Sequence, residues 1–400
     1  MSWCCFDAPL VTENDLSNPQ QDLGSWKPYM PIGTVLYRYA AAVHIPKFYF
    51  NLNLGSGLSS GENIKLFSYS ELKAATNNFD PCNKLGQGGF GTVYKGTLRN
   101  GAPVATKVLS AESRQGVHEF LTEIKILANV KHPNLVGLIG CCIQGTNRIL
   151  IYEYVENNSL DRALRGSDGE IGKLNWGIRS SICMGTARGL AFLHEELDPQ
   201  IVHRDIKASN ILLDRNFTPK IGDFGLARLF PDDTTHISTR VAGTTGYMAP
   251  EYAIHGHLTK KADVYSFGML ALEIISGRSI SKGYWSEKEK FLLDWAWQLY
   301  VEGNLIELVD PNLKEYLEEE VLRYIKVALF CTQAVARQRP TMPQVVEMLS
   351  KQIRLNEKEL TSPHFIQDSR HTSGGWKGGE STNVPPLSTA PVTYSELVPR

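Results

Sequence analysis

The chain has 400 residues, 42% hydrophobic and 21% charged, a composition close to that of folded globular proteins. Lys plus Arg number 41 and Asp plus Glu 42, so the net charge of −1 gives no electrostatic basis for binding nucleic acid. No stretch approaches the roughly 18 uninterrupted apolar residues of a membrane span, no secretory signal opens the sequence, and the seven cysteines show no C-x-x-C spacing. These features predict a cytoplasmic protein.

Two adjacent cysteines near the start of the chain, Cys4 and Cys5, are the candidates for lipid attachment. Residue 2 is Ser, so the rule for N-myristoylation is not met. Stable anchoring usually takes two lipid signals, which two thiols could supply; unmodified cysteines are the alternative. Membrane contact, at the inner face of the plasma membrane, is expected only if Cys4 and Cys5 are acylated.

Three zones differ in composition. Residues 1–65 mix Pro, Asn, Gly and aromatics without a sustained period, and they are predicted to form an irregular extension to which no function is assigned. Residues 66–355 carry dense strand-like and helix-like patterns. Residues 356–400 are rich in Ser, Thr, Pro and Gly, which is typical of a disordered tail.

Within the middle zone, the first elements read as strands. Two strand patterns, 92–98 and 103–109, flank Asn100-Gly101, a dipeptide that favours a hairpin turn. A helical period follows over 117–130, and then strands over 135–142 and 148–154. Helices dominate from Leu160 onward, at 178–195, 261–276, 292–302, 320–334 and 342–351. The pattern predicts an α+β protein in which a small sheet-rich lobe precedes a larger helical one.

A glycine-rich segment, Gly86 to Gly91, satisfies G-x-G-x-x-G. In a dinucleotide-binding turn the third glycine opens a helix, but here a strand pattern follows Gly91. A glycine loop between two antiparallel strands can instead fold over phosphates, because missing Cβ atoms let backbone N–H groups approach oxygens closely. Taken alone, the motif is equally compatible with a hairpin that binds nothing.

Further motifs stand in a fixed order after this loop. Lys107 ends the strand tetrapeptide Val-Ala-Thr-Lys, and Glu123 follows on the predicted helix, where its carboxylate could hold the lysine in place. Next come His-Arg-Asp ending at Asp205, with Lys two and Asn five residues on, then Asp223-Phe-Gly and Ala-Pro-Glu at 249–251. This order and spacing agree with the protein-kinase signature set.

From about Phe79 to Leu349 the chain therefore resembles the eukaryotic protein kinases. Within them it is similar to the plant receptor-like kinase group, the relatives of Pelle and the interleukin-receptor-associated kinases, in its segments 67–79, 187–194 and 243–251. Without a membrane span it resembles a receptor-like cytoplasmic Ser/Thr kinase. The resemblance implies the bilobal protein kinase fold, with an N-lobe at about 79–152 and a C-lobe at about 156–353.

The resemblance also implies ATP as co-substrate, Mg²⁺ as cofactor and protein substrates. The expected catalytic residues are Asp205, Lys207, Asn210, Lys107 and Glu123, and the expected metal ligands are Asn210 and Asp223. The expected ATP-binding residues are Leu85, Gly86, Gln87, Gly88, Gly89, Phe90, Gly91, Val93, Ala105, Lys107, Tyr152, Glu153, Val155 and Leu212. Tyr152 holds the gatekeeper position before the hinge.

Substrate class and regulation follow from the same resemblance. Lys207, and Thr244 in the substrate-binding segment, are typical of Ser/Thr kinases, with dual specificity left open. Ser238 and Thr239 are the expected activation-loop phosphosites, because a phosphate there could order the loop against the cation of Arg204. An upstream receptor kinase is a candidate partner, and the sequence names neither it nor the substrate.

One alternative and one departure remain. A scaffold that uses the same fold without catalysis predicts loss of Lys107, Asp205 or Asp223, and all three are present. Thr106 stands where an aliphatic residue is usual, so we expect a modest loss of stability. The resemblance further implies a buried ion pair between Glu251 and Arg339, and an interlobe stack that is anchored at Asp263.

Overall fold

The computed structural model describes residues 29–31, 63–88, 91–109, 114–128, 130–165, 174–231, 234–280 and 291–363. The predictions for Gly89, Phe90, Cys4 and Cys5, and for most of the N-terminal extension and the C-terminal tail, lie outside the described residues. The described start of the tail contains a short 3-10 helix, Glu357–Glu359. The backbone N–H of Thr361 donates to the side chain of Gln333 at 3.1 Å.

The N-terminal lobe is built on one sheet, with the strand order β1-β2-β6-β7-β5-β4-β3 among the described residues. All neighbours are antiparallel except the parallel pair β2 and β6. The Asn100-Gly101 turn joins β4 to β5 as predicted, and Gly101 takes a positive φ of 81° there. The strands are β1 Tyr29–Pro31, β2 Asn63–Leu66, β3 Lys84–Gly88, β4 Gly91–Thr97, β5 Pro103–Leu109, β6 Leu138–Gln144 and β7 Asn147–Glu153.

Two helices belong to this lobe, α1 (Tyr69–Ala75) and α2 (Arg114–Leu127). A capping box starts α1, since Ser68 and Glu71 satisfy each other's backbone N–H groups. Helix α2 packs on the sheet through an apolar stripe that includes Phe120 and Ile124, both fully buried. This helix carries Glu123 on the same buried side, and that placement brings the carboxylate to β5.

The C-terminal lobe is mainly helical, and its helix starts are set by N-caps. Asn175, Thr259 and Thr341 accept hydrogen bonds from the first turns of α4, α6 and α9, so two of these helices begin a residue or two before the predicted positions. The helices are α3 Leu160–Leu164, α4 Trp176–Ala191, α5 Pro250–His255, α6 Lys260–Ser276, α7 Leu292–Glu302, α8 Glu318–Cys331 and α9 Met342–Leu349.

Three two-stranded ladders lie in this lobe, at the side that faces the N-lobe and along the segment after Asp223. They pair β9 with β10, β8 with β11 and β12 with β13. Their bounds are β8 Gln200–Val202, β9 Ile211–Leu213, β10 Pro219–Ile221, β11 Arg228–Phe230, β12 Ile237–Ser238 and β13 His257–Leu258. Helix α6 is almost entirely buried behind them.

Buried ionic contacts join the parts of the large lobe. Both guanidinium nitrogens of Arg339 bind the carboxylate of Glu251 at 2.8 Å, which confirms the predicted pair. The side chain of Arg179 is buried and donates to Asp310 at 2.6 Å. Removing one partner of such a pair strands a buried charge, which typically costs about 3–5 kcal/mol.

The departure at position 106 has a structural consequence that can be measured. Thr106 lies on β5, is fully buried, and its hydroxyl oxygen has no hydrogen-bond partner among the described residues. A buried polar group without a partner costs about 1–3 kcal/mol, and Val has nearly the same shape. Thr106→Val should therefore raise the free energy of unfolding by about 1 kcal/mol, measured by urea denaturation.

The matched control is Thr97→Val on β4, where the side chain is exposed and its hydroxyl is free to meet solvent. That substitution should leave the urea midpoint unchanged. Catalytic activity should be preserved in both variants. Equal midpoints for Thr106→Val and the parent protein would show that the hydroxyl of Thr106 carries no cost.

Candidate active site

A cavity of about 430 Å³ lies between the two lobes. Every described residue of the expected ATP-binding set lines it: Leu85, Gly86, Gln87, Gly88, Gly91, Val93, Ala105, Lys107, Tyr152, Glu153, Val155 and Leu212. The metal-ligand candidates Asn210 and Asp223 line it as well. The sequence motifs, far apart along the chain, thus converge on one cleft.

Several lining residues were not among those expected from the sequence. They come from the segment before β6, from the segment between Val155 and α3, from α3 itself and from the residues just before Asn210 and Asp223: Val136, Asn158, Ser159, Asp161, Arg162, Ser209 and Gly222. The segment after Val155 turns back beneath the cleft because Ser159 begins α3 there. The turn-forming residues between β7 and α3 are the sequence feature that could have predicted this turn.

The ammonium of Lys107 sits between two carboxylates. Its Nζ lies 2.6 Å from Oε1 of Glu123 and 2.8 Å from Oδ1 of Asp223. Burial acts to lower the pKa of Lys107, but the charges of Asp223 and Glu123 outweigh it and raise that pKa. Burial likewise acts to raise the pKa of Asp223, which Lys107 nevertheless holds below its ordinary value. The lysine is therefore charged and Asp223 ionised near neutral pH.

Glu123 has a second partner that the sequence did not reveal. The hydroxyl of Tyr152 donates to Oε2, while Lys107 occupies Oε1. Burial and the Glu123 charge raise the pKa of Tyr152, so the phenol keeps its proton as the donor. Because Tyr152 lies in β7 opposite Ala105 of β5, this bond ties helix α2 to the sheet directly at the back of the cleft.

A compact hydrogen-bonded set surrounds Asp205. Its Oδ1 accepts from the hydroxyl of Thr244 at 2.7 Å, and its Oδ2 lies 2.8 Å from Nζ of Lys207. Lys207 also donates to the Thr244 hydroxyl oxygen at 2.8 Å. The amide nitrogen of Asn210 donates to the backbone oxygen of Asp205 at 2.8 Å and to Oδ2 at 3.1 Å. The carboxylate is thus fixed from three directions.

The backbone of this loop is fixed by Asp263 on α6. That fully buried carboxylate accepts from the N–H of His203 at 2.7 Å and of Arg204 at 2.8 Å. Burial acts to raise the pKa of Asp263, but its bonds with His194 and His203 lower it. Arg204 has a left-handed φ of 73°, a strained conformation that these bonds hold in place.

The buried Arg204 lies near two further basic side chains, Arg228 and His118. Its guanidinium donates to the carbonyls of Leu226 at 3.0 Å and Arg240 at 2.9 Å. Burial and the charge of Arg204 lower the pKa of Arg228, and burial and the charges of Arg228 and Arg204 lower that of His118 on α2. No carboxylate among the described residues forms an ion pair with these three basic side chains.

The expected phosphosites lie in the segment that follows. Ser238, in β12, is exposed and stands opposite His257 of β13. The pairing continues to Thr239, whose N–H donates to the carbonyl of Gly256 at 3.2 Å, and Thr239 is half-buried.

The helices of the described residues include none with the length and apolar character that a membrane-spanning helix needs.

The site has the parts of a phosphotransferase: a deep cleft with a fixed cation, acidic groups and a paired aspartate. Residues 79–349 match the protein kinase domain family, and the chain belongs to that family. It is 52% identical over 310 residues to cold-responsive protein kinase 1 of Arabidopsis thaliana, covering 77% of this chain and 80% of that protein. These matches confirm the resemblance to plant receptor-like Ser/Thr kinases and the expected fold.

Receptor kinases from the same plant are similar over the same region. One probable LRR receptor-like serine/threonine-protein kinase is 54% identical over 301 residues, and another is 50% identical over 341 residues. This chain spans only 30% and 33% of their lengths. It is a protein serine/threonine kinase, and members of its family generally use MgATP.

The bond between Tyr152 and Glu123 can be tested by removing one oxygen atom. Tyr152→Phe keeps the ring that lines the cavity but leaves a buried carboxylate without one donor, so the free energy of unfolding should fall by about 1–3 kcal/mol. Differential scanning calorimetry measures the change. Tyr154→Phe is the control, since Tyr154 lines the same cavity and no hydrogen bond of its hydroxyl is found among the described residues. Equal losses in both variants would contradict the role of this bond.

Proposed function

We propose that the chain transfers the γ-phosphoryl group of MgATP to protein Ser and Thr hydroxyls, its own activation segment included, in cytoplasmic signalling. The observation that carries this proposal is the set of contacts among Asp205, Lys207 and Thr244. One carboxylate, one ammonium and one hydroxyl meet within 2.7–2.8 Å beside the cleft that holds Lys107. Phosphoryl transfer asks mainly for such positioning and charge neutralisation.

In this proposal Lys107 holds the α and β phosphates. An ammonium on a flexible stem is a useful phosphate ligand only where its position is fixed, and here Glu123 and Asp223 fix it. Gly86, Gly88 and Gly91 line the phosphate end of the cavity, while Val93, Ala105 and Leu212 form apolar walls for the adenine. The hinge offers backbone groups at Glu153 and Val155.

The residues expected to hold Mg²⁺ fit such an ion chemically. Asn210 uses its amide nitrogen on Asp205, which leaves its amide oxygen as the ligand atom. Asp223 is ionised, and Lys107 occupies only its Oδ1. Two oxygen donors from the protein suit Mg²⁺, which otherwise takes waters and substrate phosphates. When bound, the ion would neutralise charge on those phosphates.

Asp205 is the proposed acceptor of the substrate hydroxyl proton. Its two carboxylate oxygens are oriented by the contacts described above, so one of them can accept a hydrogen bond from an incoming Ser or Thr and align that oxygen for in-line attack. Lys207 places positive charge beside the transferred group. Thr244 positions both side chains and belongs to the segment that would receive the substrate backbone.

The group of Arg204, Arg228 and His118 supports regulation by phosphorylation of the activation segment. Burial and the charge of Arg204 lower the pKa values of Arg228 and His118, so these basic side chains would gain from a nearby dianion, and a phosphate supplies about −1.5 to −2 charges. Thr239 follows Ser238 in a paired strand, so its side chain shares the inward face with Ile237. Its phosphate is the one proposed to meet this group. Ser238 is the second proposed phosphosite.

The cellular setting is proposed from the relatives. Similarity to receptor-like kinases supports an upstream receptor kinase as a partner, with protein substrates downstream and a cytoplasmic location. Contact with the plasma membrane would depend on acylation of Cys4 and Cys5. None of these partners is specified by the residues of the cleft, since fold and catalytic machinery are shared across kinases of many pathways.

Autophosphorylation of the purified chain with labelled ATP and Mg²⁺ tests this function. Asp205→Asn removes the proton acceptor and should lower the rate by about 10²–10⁴-fold. Lys107→Glu puts a carboxylate among Glu123 and Asp223 and should abolish labelling. Lys314→Glu, an exposed charge reversal away from the cleft, is the control. Label on Ser and Thr that persists in both cleft variants would overturn the proposal, and mass spectrometry of the product would locate the sites.

The role of Thr244 can be separated from simple folding. Thr244→Val keeps the shape but removes two hydrogen bonds with charged groups, so kcat should fall about 10–100-fold while KM for ATP stays unchanged. Thr244→Ser keeps the hydroxyl and should restore most of kcat. If KM for ATP rises in proportion, or if Ser fails to rescue, Thr244 does not position Asp205 and Lys207.

A further inference from the structure

Three histidines lie together at the exposed face of the ladder that β12 forms with β13. The ring centroids of His236 and His257 are 4.8 Å apart, and those of His255 and His257 are 5.7 Å apart. They come from three places in the chain: just before β12, the end of α5, and β13. All three are exposed, so packing in the core does not account for the cluster.

Ser238 lies on the same face of the ladder as this histidine cluster. It stands directly opposite His257 in the β12–β13 ladder, and opposite residues of an antiparallel pair project from the same face with Cβ atoms about 4.5–5.5 Å apart. Residues two apart on one strand also share a face, which adds His236. On the opposite face of the ladder, the paired residues Ile237 and Leu258 pack in an apolar cluster. Ser238 therefore points away from that interior.

The buried guanidinium of Arg204 is a poor receptor for a group on this outer face. Its side-chain nitrogens already donate to Leu226, Arg240 and the Tyr252 hydroxyl, and the residue is only 6% exposed. A phosphate on Ser238 would have to leave its face of the ladder to reach it. The imidazoles lie on the same face and require no such movement.

The charged groups on the adjoining elements favour an anion at this place. On α5 the carboxylate of Glu251 is bound by Arg339 at 2.8 Å, and at the start of α6 Lys260 pairs with Glu195 at 3.1 Å. Arg240, two residues after Ser238, adds an exposed positive charge. No carboxylate among the described residues forms an ion pair with the three histidines.

We propose that His236, His255 and His257 form the receptor for a phosphate on Ser238, so that this phosphorylation stabilises the activation segment only while the imidazoles are protonated. The proposal rests on the proposed function, with ATP as the phosphoryl donor. The Oγ of Ser238 attacks the γ-phosphorus, the bond to the β–γ bridging oxygen breaks, ADP leaves, and the hydroxyl proton passes to a base.

The pH dependence follows from the two partners. Imidazole changes its charge between pH 5 and 8, and the second ionisation of a phosphoserine lies near pH 6. An imidazolium favours the phosphate dianion and the dianion favours the imidazolium. The stabilisation is therefore present near pH 6.5 and is lost as the pH rises to 8.5. A receptor made of arginine would hold the phosphate at both pH values.

The test uses the full chain with phosphoserine installed at position 238 by genetic encoding, so it does not depend on the chain's own activity. At pH 6.5 the phosphorylated protein should melt about 2–4 °C above the unphosphorylated one, and at pH 8.5 the difference should vanish. In ³¹P NMR titrations, the midpoint of the phosphate resonance should be lower than in a His236→Gln/His257→Gln variant. That variant should also lose the melting difference at pH 6.5.

His257→Arg is the matched control, because it supplies a cation at every pH. Its phosphorylated form should keep the melting difference at pH 8.5. A melting difference that is independent of pH in the parent protein, or a phosphate midpoint unchanged by the two glutamines, would overturn the histidine receptor. Activity of the unphosphorylated variants toward a generic protein substrate is measured in parallel. If the unphosphorylated parent protein has no activity toward that substrate, the result would instead count against the proposed kinase function.

Discussion

The geometry of the cleft depends on one ammonium held between two carboxylates. Glu123 comes from α2 in the small lobe and Asp223 from the segment after β10 in the large lobe, and Lys107 on β5 binds both. Each of these groups would be costly to bury alone, because a charge removed from water needs a partner of opposite sign. The three are therefore favourable only together. The register of β5, the position of α2 and the left-handed backbone at Asp223 are consequently linked through a single side chain.

A second buried carboxylate plays the equivalent part in the large lobe. Asp263 has its oxygens filled by the backbone N–H groups of His203 and Arg204 and by the ring of His194. These bonds compensate both the desolvation of the carboxylate and the strained φ of Arg204. Because Asp263 lies on the buried helix α6, these bonds attach the backbone of His203 and Arg204 to the rigid core. Asp205 can then stay fixed although it lies on a loop.

The fixed-spacing motifs were predictable from the sequence, and the contacts between elements were not. Lys107, Asp205 and Asp223 could be found because each motif occupies neighbouring positions of one short segment. The bond from Tyr152 to Glu123 could not, since it depends on how far α2 approaches the sheet. The same holds for His118 and Arg228, which the fold gathers from separate elements around Arg204. Helix starts such as Asn175 were displaced because side-chain capping, and not hydrophobic period, sets the first turn.

In β12 and the residue that follows it, successive side chains lie on opposite faces of the ladder, and the two faces have different surroundings. A two-residue ladder places Ser238 on the outer face beside imidazoles, while its neighbour Thr239 shares the inner face with Ile237. Arginine remains charged at any physiological pH, whereas histidine does not. In the proposed regulation, phosphates on these adjacent hydroxyls would be bound by two kinds of side chain, one charged at every physiological pH and one whose charge depends on pH. A shift of register by one residue would exchange the two faces, so in this proposal the pairing of β12 with β13 determines which phosphate meets which side chains.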